Sequence, residues 1–186
     1  MNYSLTKDQL RAMFLKKRKN VKNKLKKTFN LNFRLLNFIH QYNEKFISGY
    51  FSTKNEIDIC YALSFLNEEK FKICFPFIKK VRERLFFSYW NFKDELEVGK
   101  FNIKVPRVKL EVEPDFLIVP LVCFDSSKFR VGYGGGYYDR TIEYLKNKKN
   151  IKTIGVSFDE QITTNIPKNH FDQKLDFILT PSRLIK

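Results

Sequence analysis

The stretch from Phe116 to Arg140 constrains the fold more than any other part of the chain. It opens with FLIVPLVCF, a nearly unbroken apolar run. Such a run suits a strand covered on both faces, as in a parallel sheet, rather than a strand with one wet side. A turn follows at Asp125-Ser126-Ser127-Lys128. Four of the next residues, Gly132, Gly134, Gly135 and Gly136, are glycines, and a helical pattern begins at Tyr137. Buried strand, glycine-rich turn and helix, in that order, are the parts of an α/β unit.

The rest of the chain reads consistently with that unit. Thr6 and Gln9 form a capping box that opens a basic helix running to about Lys27, with Leu5 and Leu10 at the staple positions. Lys7 and Arg11, four residues apart, share one face of it. A second helix is predicted over Leu31 to Ile47, and a short strand over Ile47 to Ser52. Thr53 and Glu56 form another capping box, expected to open a helix through Ile57, Cys60, Leu63 and Phe65. Strands are predicted at Phe71–Phe75, ended by Pro76, and at Leu85–Trp90. Residues 91–114 read as loop-rich. A helix over Tyr137–Lys146 and strands at Lys152–Phe158 and Leu175–Thr180 complete the pattern. Strands alternating with helices predict an α/β fold with a mostly parallel sheet. No internal repeat or long Gly/Ser/Pro linker divides the chain, so one domain over residues 1–186 is expected.

The glycine turn predicts an anion site. Glycines let backbone N–H groups approach a ligand closely, and the N-terminus of the following helix adds a partial positive charge. Arg130 and Arg140 flank it. The common phosphate motifs do not match. No Lys-Ser/Thr follows the glycines as a P-loop needs. A Gly-x-Gly-x-x-Gly register starting at Gly132 puts Tyr137 in the last place. The residues alone therefore leave two readings, a phosphate site or a structural turn.

Charge enters here. The chain carries 35 basic and 20 acidic residues, a formal +15. Residues 1–30 hold ten Lys or Arg against Asp8 alone, a net +9. A solvated basic helix, attraction of an anionic small molecule, and nucleic-acid contact all fit this. The three cysteines, Cys60, Cys74 and Cys123, are widely spaced and odd in number. They give neither a disulfide framework nor a zinc pattern. The N-terminus lacks the apolar core of a signal peptide, and no run approaches the ~20 residues of a membrane helix. A cytoplasmic protein is expected, a monomer by default. His40 and His170 have no partners that suggest a triad or a zinc site.

The complete string FRVGYGGGYYDR, together with Pro120 and Phe124-Asp125 before it, resembles the signature of the 5-formyltetrahydrofolate cyclo-ligase family. The likeness extends to Lys7 and Arg11 in the first helix and to YFSTKNEI at Tyr50–Ile57. It continues in the C-terminal part, with Gln161, Pro167, Asp172 and Asp176 in register. Tyr133 and Gly135 stand where some members carry Arg and Lys. The resemblance implies a three-layer α/β/α sandwich like that of the ribose-phosphate isomerase and CoA-transferase group. It implies ATP- and Mg²⁺-dependent closure of 5-formyltetrahydrofolate to 5,10-methenyltetrahydrofolate. ATP contacts would come from Lys7, Arg11, Arg130, Gly132, Gly134, Gly135, Gly136, Tyr137 and Tyr138. The folate would meet Phe51, Glu56, Tyr133, the three glycines Gly134 to Gly136 and Tyr137. Arg130 and Tyr137 are the expected catalytic pair. Asp139 and Asp176 are the expected magnesium ligands, with Asp172 a competitor. The rival reading from another class is a basic nucleic-acid-binding module. Against it, the aromatic residues fall mainly in apolar-periodic segments and are not interleaved with arginines. Another phosphate-ligand enzyme on the same fold is the second rival.

Overall fold

A computed structural model describes residues 5–53 and 55–186. In chain order its elements are α1 (Lys7–Lys19), α2 (Lys24–Ile39), β1 (Phe46–Ser48), α3 (Cys60–Glu68), β2 (Lys72–Phe77), β3 (Phe86–Tyr89) and β4 (Leu96–Val98). They continue as β5 (Lys104–Pro106), β6 (Leu110–Val112), β7 (Phe116–Pro120), β8 (Cys123–Phe124), β9 (Arg130–Val131), α4 (Tyr137–Lys148), β10 (Lys152–Val156), β11 (Phe177–Leu179) and β12 (Leu184–Ile185).

Eight strands form the central sheet, in the order β12-β11-β10-β7-β1-β2-β3-β6. The five from β11 to β2 run parallel. The flanking pairs are antiparallel. The sheet is mostly parallel, as expected, and the segment read as loop supplies β6 and the β4–β5 hairpin instead. Alternation along β7 sorts the core. Phe116 and Ile118 face α2 and α3, packed with Ile47, Ile73 and Leu35. Leu117 and Val119 face the other way, towards Ile142 of α4. Helices on both faces make three layers.

Four local expectations need correction. The first helix does not run to Lys27. It stops at Lys19, capped by Asn20, and Asn23 at φ 55° begins α2. Asparagine tolerates this left-handed conformation better than most residues. The break lets α1 and α2 take separate directions, with Val21 tucked into the main core. The second helix ends at Ile39, because Phe46 and Ile47 are recruited as a strand between β2 and β7. Only half of the Thr53–Glu56 box forms, the Glu56 carboxylate accepting from the Thr53 N–H, and α3 begins only at Cys60. Asn55 at φ 65° turns the chain away from helical geometry between them. Pro76 does not end its strand either. It lies in β2 beyond the last pair with β1, Ser48↔Cys74, where no neighbour on that side needs its missing N–H.

The connectivity reverses direction between β1 and β7. From β1 the chain builds outward through β2, β3 and β6; from β7 it builds the other way through β10, β11 and β12. Crevices at the carboxyl ends of strands flanking such a switch point are the usual ligand sites of open α/β sheets. Here Gly49-Tyr50-Phe51 leaves β1 and Leu121-Val122 leaves β7 at that edge. α1 lies over the β8–β9 hairpin next to it, with Leu10 and Phe14 packed on Val122, Cys123, Val131 and Ile166. Among the described residues, no helix is long and apolar enough to cross a membrane.

Candidate functional site

The glycine turn joins β9 to α4 at the switch-point edge. Gly134 (φ 94°) and Gly136 (φ 64°) occupy the left-handed region, where a side chain is strained. Gly136 is the N-cap of α4 and offers no side-chain cap, so the first-turn N–H groups keep their capacity for an outside acceptor. Two arginines frame the turn. Arg11 donates through Nε to the Gly132 carbonyl at 2.8 Å. A Cβ on Gly134 would stand 3.3 Å from the same guanidinium. Arg140 donates through Nη2 to the Gly135 carbonyl at 2.7 Å and through Nε to the Glu83 carbonyl at 3.1 Å. Tyr137 borders the turn, with Phe101 at 6.1 Å between ring centroids and the Arg140 guanidinium at 5.3 Å from its ring.

Arg130 is buried behind this turn. Its Nη1 donates to the Gln173 carbonyl at 2.7 Å and its Nη2 to Asp139 Oδ1 at 2.8 Å. Burial draws its pKa down and the Asp139 carboxylate opposes that. Both ends of its fork are taken up inside the protein, so it holds Asp139 and does not reach out as the expected catalytic cation. Asp139 Oδ1 also accepts from the Gln173 N–H at 3.1 Å. Lys7, at the start of α1, is ion-paired with Asp172. Asp172 in turn accepts from the Asn169 N–H at 2.7 Å through Oδ2.

Asp176 is not part of this group. It accepts from Thr153 N at 2.8 Å and Thr153 Oγ1 at 2.7 Å, and pairs with Lys146 at 3.1 Å. These contacts hold it at the amino ends of β10 and β11, beside the last turn of α4, whereas Asp139 sits in the first turn. Lys146 lies seven positions beyond Asp139 along the helix, roughly 10 Å of axial rise. The acid that lies near Asp139 is Asp172, whose charge also acts on Arg130. Among the described residues, no group of three or more His, Cys, Asp and Glu could hold a metal ion unaided. Magnesium carried by a nucleotide needs only one or two protein carboxylates, and Asp139 with Asp172 fits that donor set.

A second cluster lies across the edge from the glycines. The Glu56 carboxylate accepts through Oε2 from Thr53 N at 2.7 Å and Thr53 Oγ1 at 3.1 Å. Its Oε1 lies 3.9 Å from Arg18 Nη1. Arg18 Nη2 donates to the Tyr133 hydroxyl at 2.5 Å. Tyr50 donates to the Ile57 carbonyl at 2.6 Å. Burial, reinforced by Glu56, raises the hydroxyls of Tyr50, Tyr133 and Tyr138 above their ordinary value. Phe51 stacks on Phe75 at 4.2 Å, 16° from parallel, with Trp90 and Phe92 against the same aromatic group. The site thus has an anion-ready end at the glycines and an aromatic end with one buried carboxylate.

Sequence reasoning missed Arg18. Two signals mark it. It continues the buried stripe Leu10–Phe14 by four residues, a charge where an apolar residue belongs. It also lies eleven residues after Lys7, three full helical turns, on the same face.

A profile of the 5-formyltetrahydrofolate cyclo-ligase family matches residues 4–181. The chain is 32% identical over 184 residues to the 5-formyltetrahydrofolate cyclo-ligase of Mycoplasma genitalium, covering 93% of this chain and 96% of that protein. It is 31% identical over 150 residues to the Haemophilus influenzae protein of the same name, covering 77% and 80%. Among solved structures, the Aquifex aeolicus 5,10-methenyltetrahydrofolate synthetase superposes with a TM-score of 0.82 at 25% identity. That match covers 97% of this chain and 92% of the other.

Proposed function

The chain belongs to the 5-formyltetrahydrofolate cyclo-ligase family, and on that footing we propose that it uses ATP and Mg²⁺ to close 5-formyltetrahydrofolate into 5,10-methenyltetrahydrofolate, releasing ADP and phosphate. The observation that carries this reading is the family signature falling on an uncapped helix N-terminus at the switch-point edge, where an arginine-framed glycine turn leads into it and an aromatic cluster lies at the same edge.

In this reaction the formyl oxygen attacks the γ-phosphorus of ATP and ADP leaves. N10 then attacks the activated formyl carbon, the carbon–oxygen bond breaks, and phosphate departs as N10 loses its proton. Such chemistry asks the protein chiefly for in-line placement and charge neutralisation. The glycine turn and the first N–H groups of α4 would take phosphate oxygens, with Tyr138 in the same first turn. Arg11 and Lys7 would add a forked donor and a point charge. Asp139, steadied by Arg130, and Asp172 would supply carboxylates to a nucleotide-borne magnesium ion, which neutralises phosphate charge when bound. Glu56 would accept from the N–H donors of the pterin edge through Oε1. Phe51, Tyr133 and Tyr137 would wall the flat rings, with the Gly134–Gly136 backbone alongside.

ADP release measured with and without 5-formyltetrahydrofolate tests the coupling. The reading expects release only when the folate is present. Hydrolysis of ATP at the same rate without it would contradict the reading.

A further inference from the structure

We propose that Arg18 is a positioning residue for the folate end of the site: it aims the outer oxygen of Glu56 and anchors Tyr133, and so ties the folate pocket to the phosphate loop. This rests on the folate reading above.

Arg18 lies in the last turn of α1 among Lys16, Lys17 and Lys19, yet it is fully buried (0% exposed) while those lysines are not. Its guanidinium meets three different segments. Nη1 lies 3.9 Å from Glu56 Oε1 and 3.4 Å from the Leu121 carbonyl, just past β7. Nη2 donates to the Tyr133 hydroxyl, within the glycine turn. A planar fork can serve three such directions at once, and a lysine ammonium on a flexible stem cannot hold the same geometry.

Glu56 is correspondingly dry, with its side chain 6% exposed. Thr53 occupies Oε2. Oε1 faces the Arg18 guanidinium at 3.9 Å, and the Tyr133 hydroxyl, itself held by Arg18, makes a further hydrogen bond to Glu56, so Arg18 acts on this carboxylate both by charge and through Tyr133. Tyr133 is arranged in the same way, its hydroxyl held from behind while the residue remains exposed at the rim.

The placement of α1 adds a second argument. Lys7, Arg11 and Arg18 fall on one face of the helix within about 40° of each other, over roughly 16 Å of rise. Lys7 reaches Asp172, Arg11 reaches the Gly132 carbonyl, and Arg18 reaches Glu56. One rigid element thus spans the site from its carboxylate pair to its aromatic end. A buried ion pair is weak as a source of stability, since apolar groups of the same shape often do as well. Its retention beside a ligand pocket is better explained by orientation.

The test compares Arg18→Lys, Glu56→Gln and the double variant Arg18→Met/Glu56→Gln with the unaltered protein, measuring both KM values and thermal stability. The double variant leaves no lone buried charge, so it remains informative even where a single variant does not fold. Turnover of the unaltered protein comes first, and its absence defeats the folate reading itself. Given turnover, Arg18→Lys is expected to raise the 5-formyltetrahydrofolate KM about tenfold while the ATP KM moves less than about twofold. The double variant is expected to fall short of the sum of the two single effects, because Arg18 acts in part through that carboxylate. A fall in Tm with both KM values unmoved would overturn the proposal in favour of a plain structural pair. Equal rises in both KM values, or a double variant worse than Glu56→Gln by the full Arg18 effect, would overturn it as well.

Discussion

At the scale of the residue, the proposed magnesium site depends on which carboxylates lie beside the glycine turn. Asp139 and Asp172 do, while Asp176 is spent on Thr153 and Lys146 at the opposite end of α4. Asp139→Asn and Asp172→Asn are therefore expected to lower kcat by about a hundredfold or more at limiting Mg²⁺, the scale of losing a charge-stabilising group. Asp176→Asn should leave kcat near normal and lower stability by about 1 kcal/mol. Steady-state kinetics across a magnesium titration separates these, and a large kcat loss in Asp176→Asn alone would return it to the site. Gly136→Ala probes the turn directly. Its φ of 64° strains any side chain, and the new Cβ would come within 2.7 Å of Arg140 Nη1. The variant should raise the ATP KM more than the folate KM. The shared helical face of Lys7 and Arg11, the Thr53–Glu56 contact and the glycine turn were legible in the sequence because a local pattern carries them: helical spacing, a capping signal, a turn. That Asp172, and not Asp176, lies at the same end of α4 as Asp139 was not. Four residues apart near a strand start, both fit the register, and only the Thr153 pairing of β10 with β11 decides between them.

At the scale of the element, most strands and helices were legible and several boundaries were not. β7 and α4 announced themselves through burial on both faces and helical period. The break between α1 and α2 did not, since Asn20 and Asn23 sit in a continuous basic pattern and the deciding event is the packing of Val21 into the core. The strands β4 to β6 are short and partly exposed, so they carry little hydrophobic period. Two predictions belong here. Gly49, where β1 ends, has Leu63 Cδ1 only 2.3 Å from an added Cβ and Phe75 at 3.1 Å. Gly49→Ala should therefore cost about 1–3 kcal/mol by overpacking, measured by denaturant unfolding. Asp159 ties the C-terminal segment to the turn after β10. Burial raises its pKa, but hydrogen bonds from Ser182 and Thr180 and the charge of Arg183 outweigh this and hold it below its ordinary 3.8. A depressed folded value means that its contribution is complete above that ordinary value and is lost as pH falls through the lower one. Asp159→Asn should flatten that part of the acid stability profile, read as Tm against pH, and an unchanged profile would contradict the assignment.

At the scale of the whole molecule, the parallel core with its direction change between β1 and β7 brings distant segments to one edge: Lys7 to Arg18 from the N-terminus, Glu56 from the middle, the glycine turn and Asp172 from the C-terminal third. The α/β class could be read from alternating patterns, but the strand order could not, because it depends on which apolar strands pair across long separations. The net +15 fits a site for two anionic substrates by steering them, an effect that added salt should weaken. The most direct measurement is the near-ultraviolet absorbance of the methenyl product, followed with purified protein, 5-formyltetrahydrofolate, ATP and Mg²⁺ at acidic to neutral pH. The account predicts a rise that requires both ATP and Mg²⁺. No rise from protein shown to be folded would contradict it.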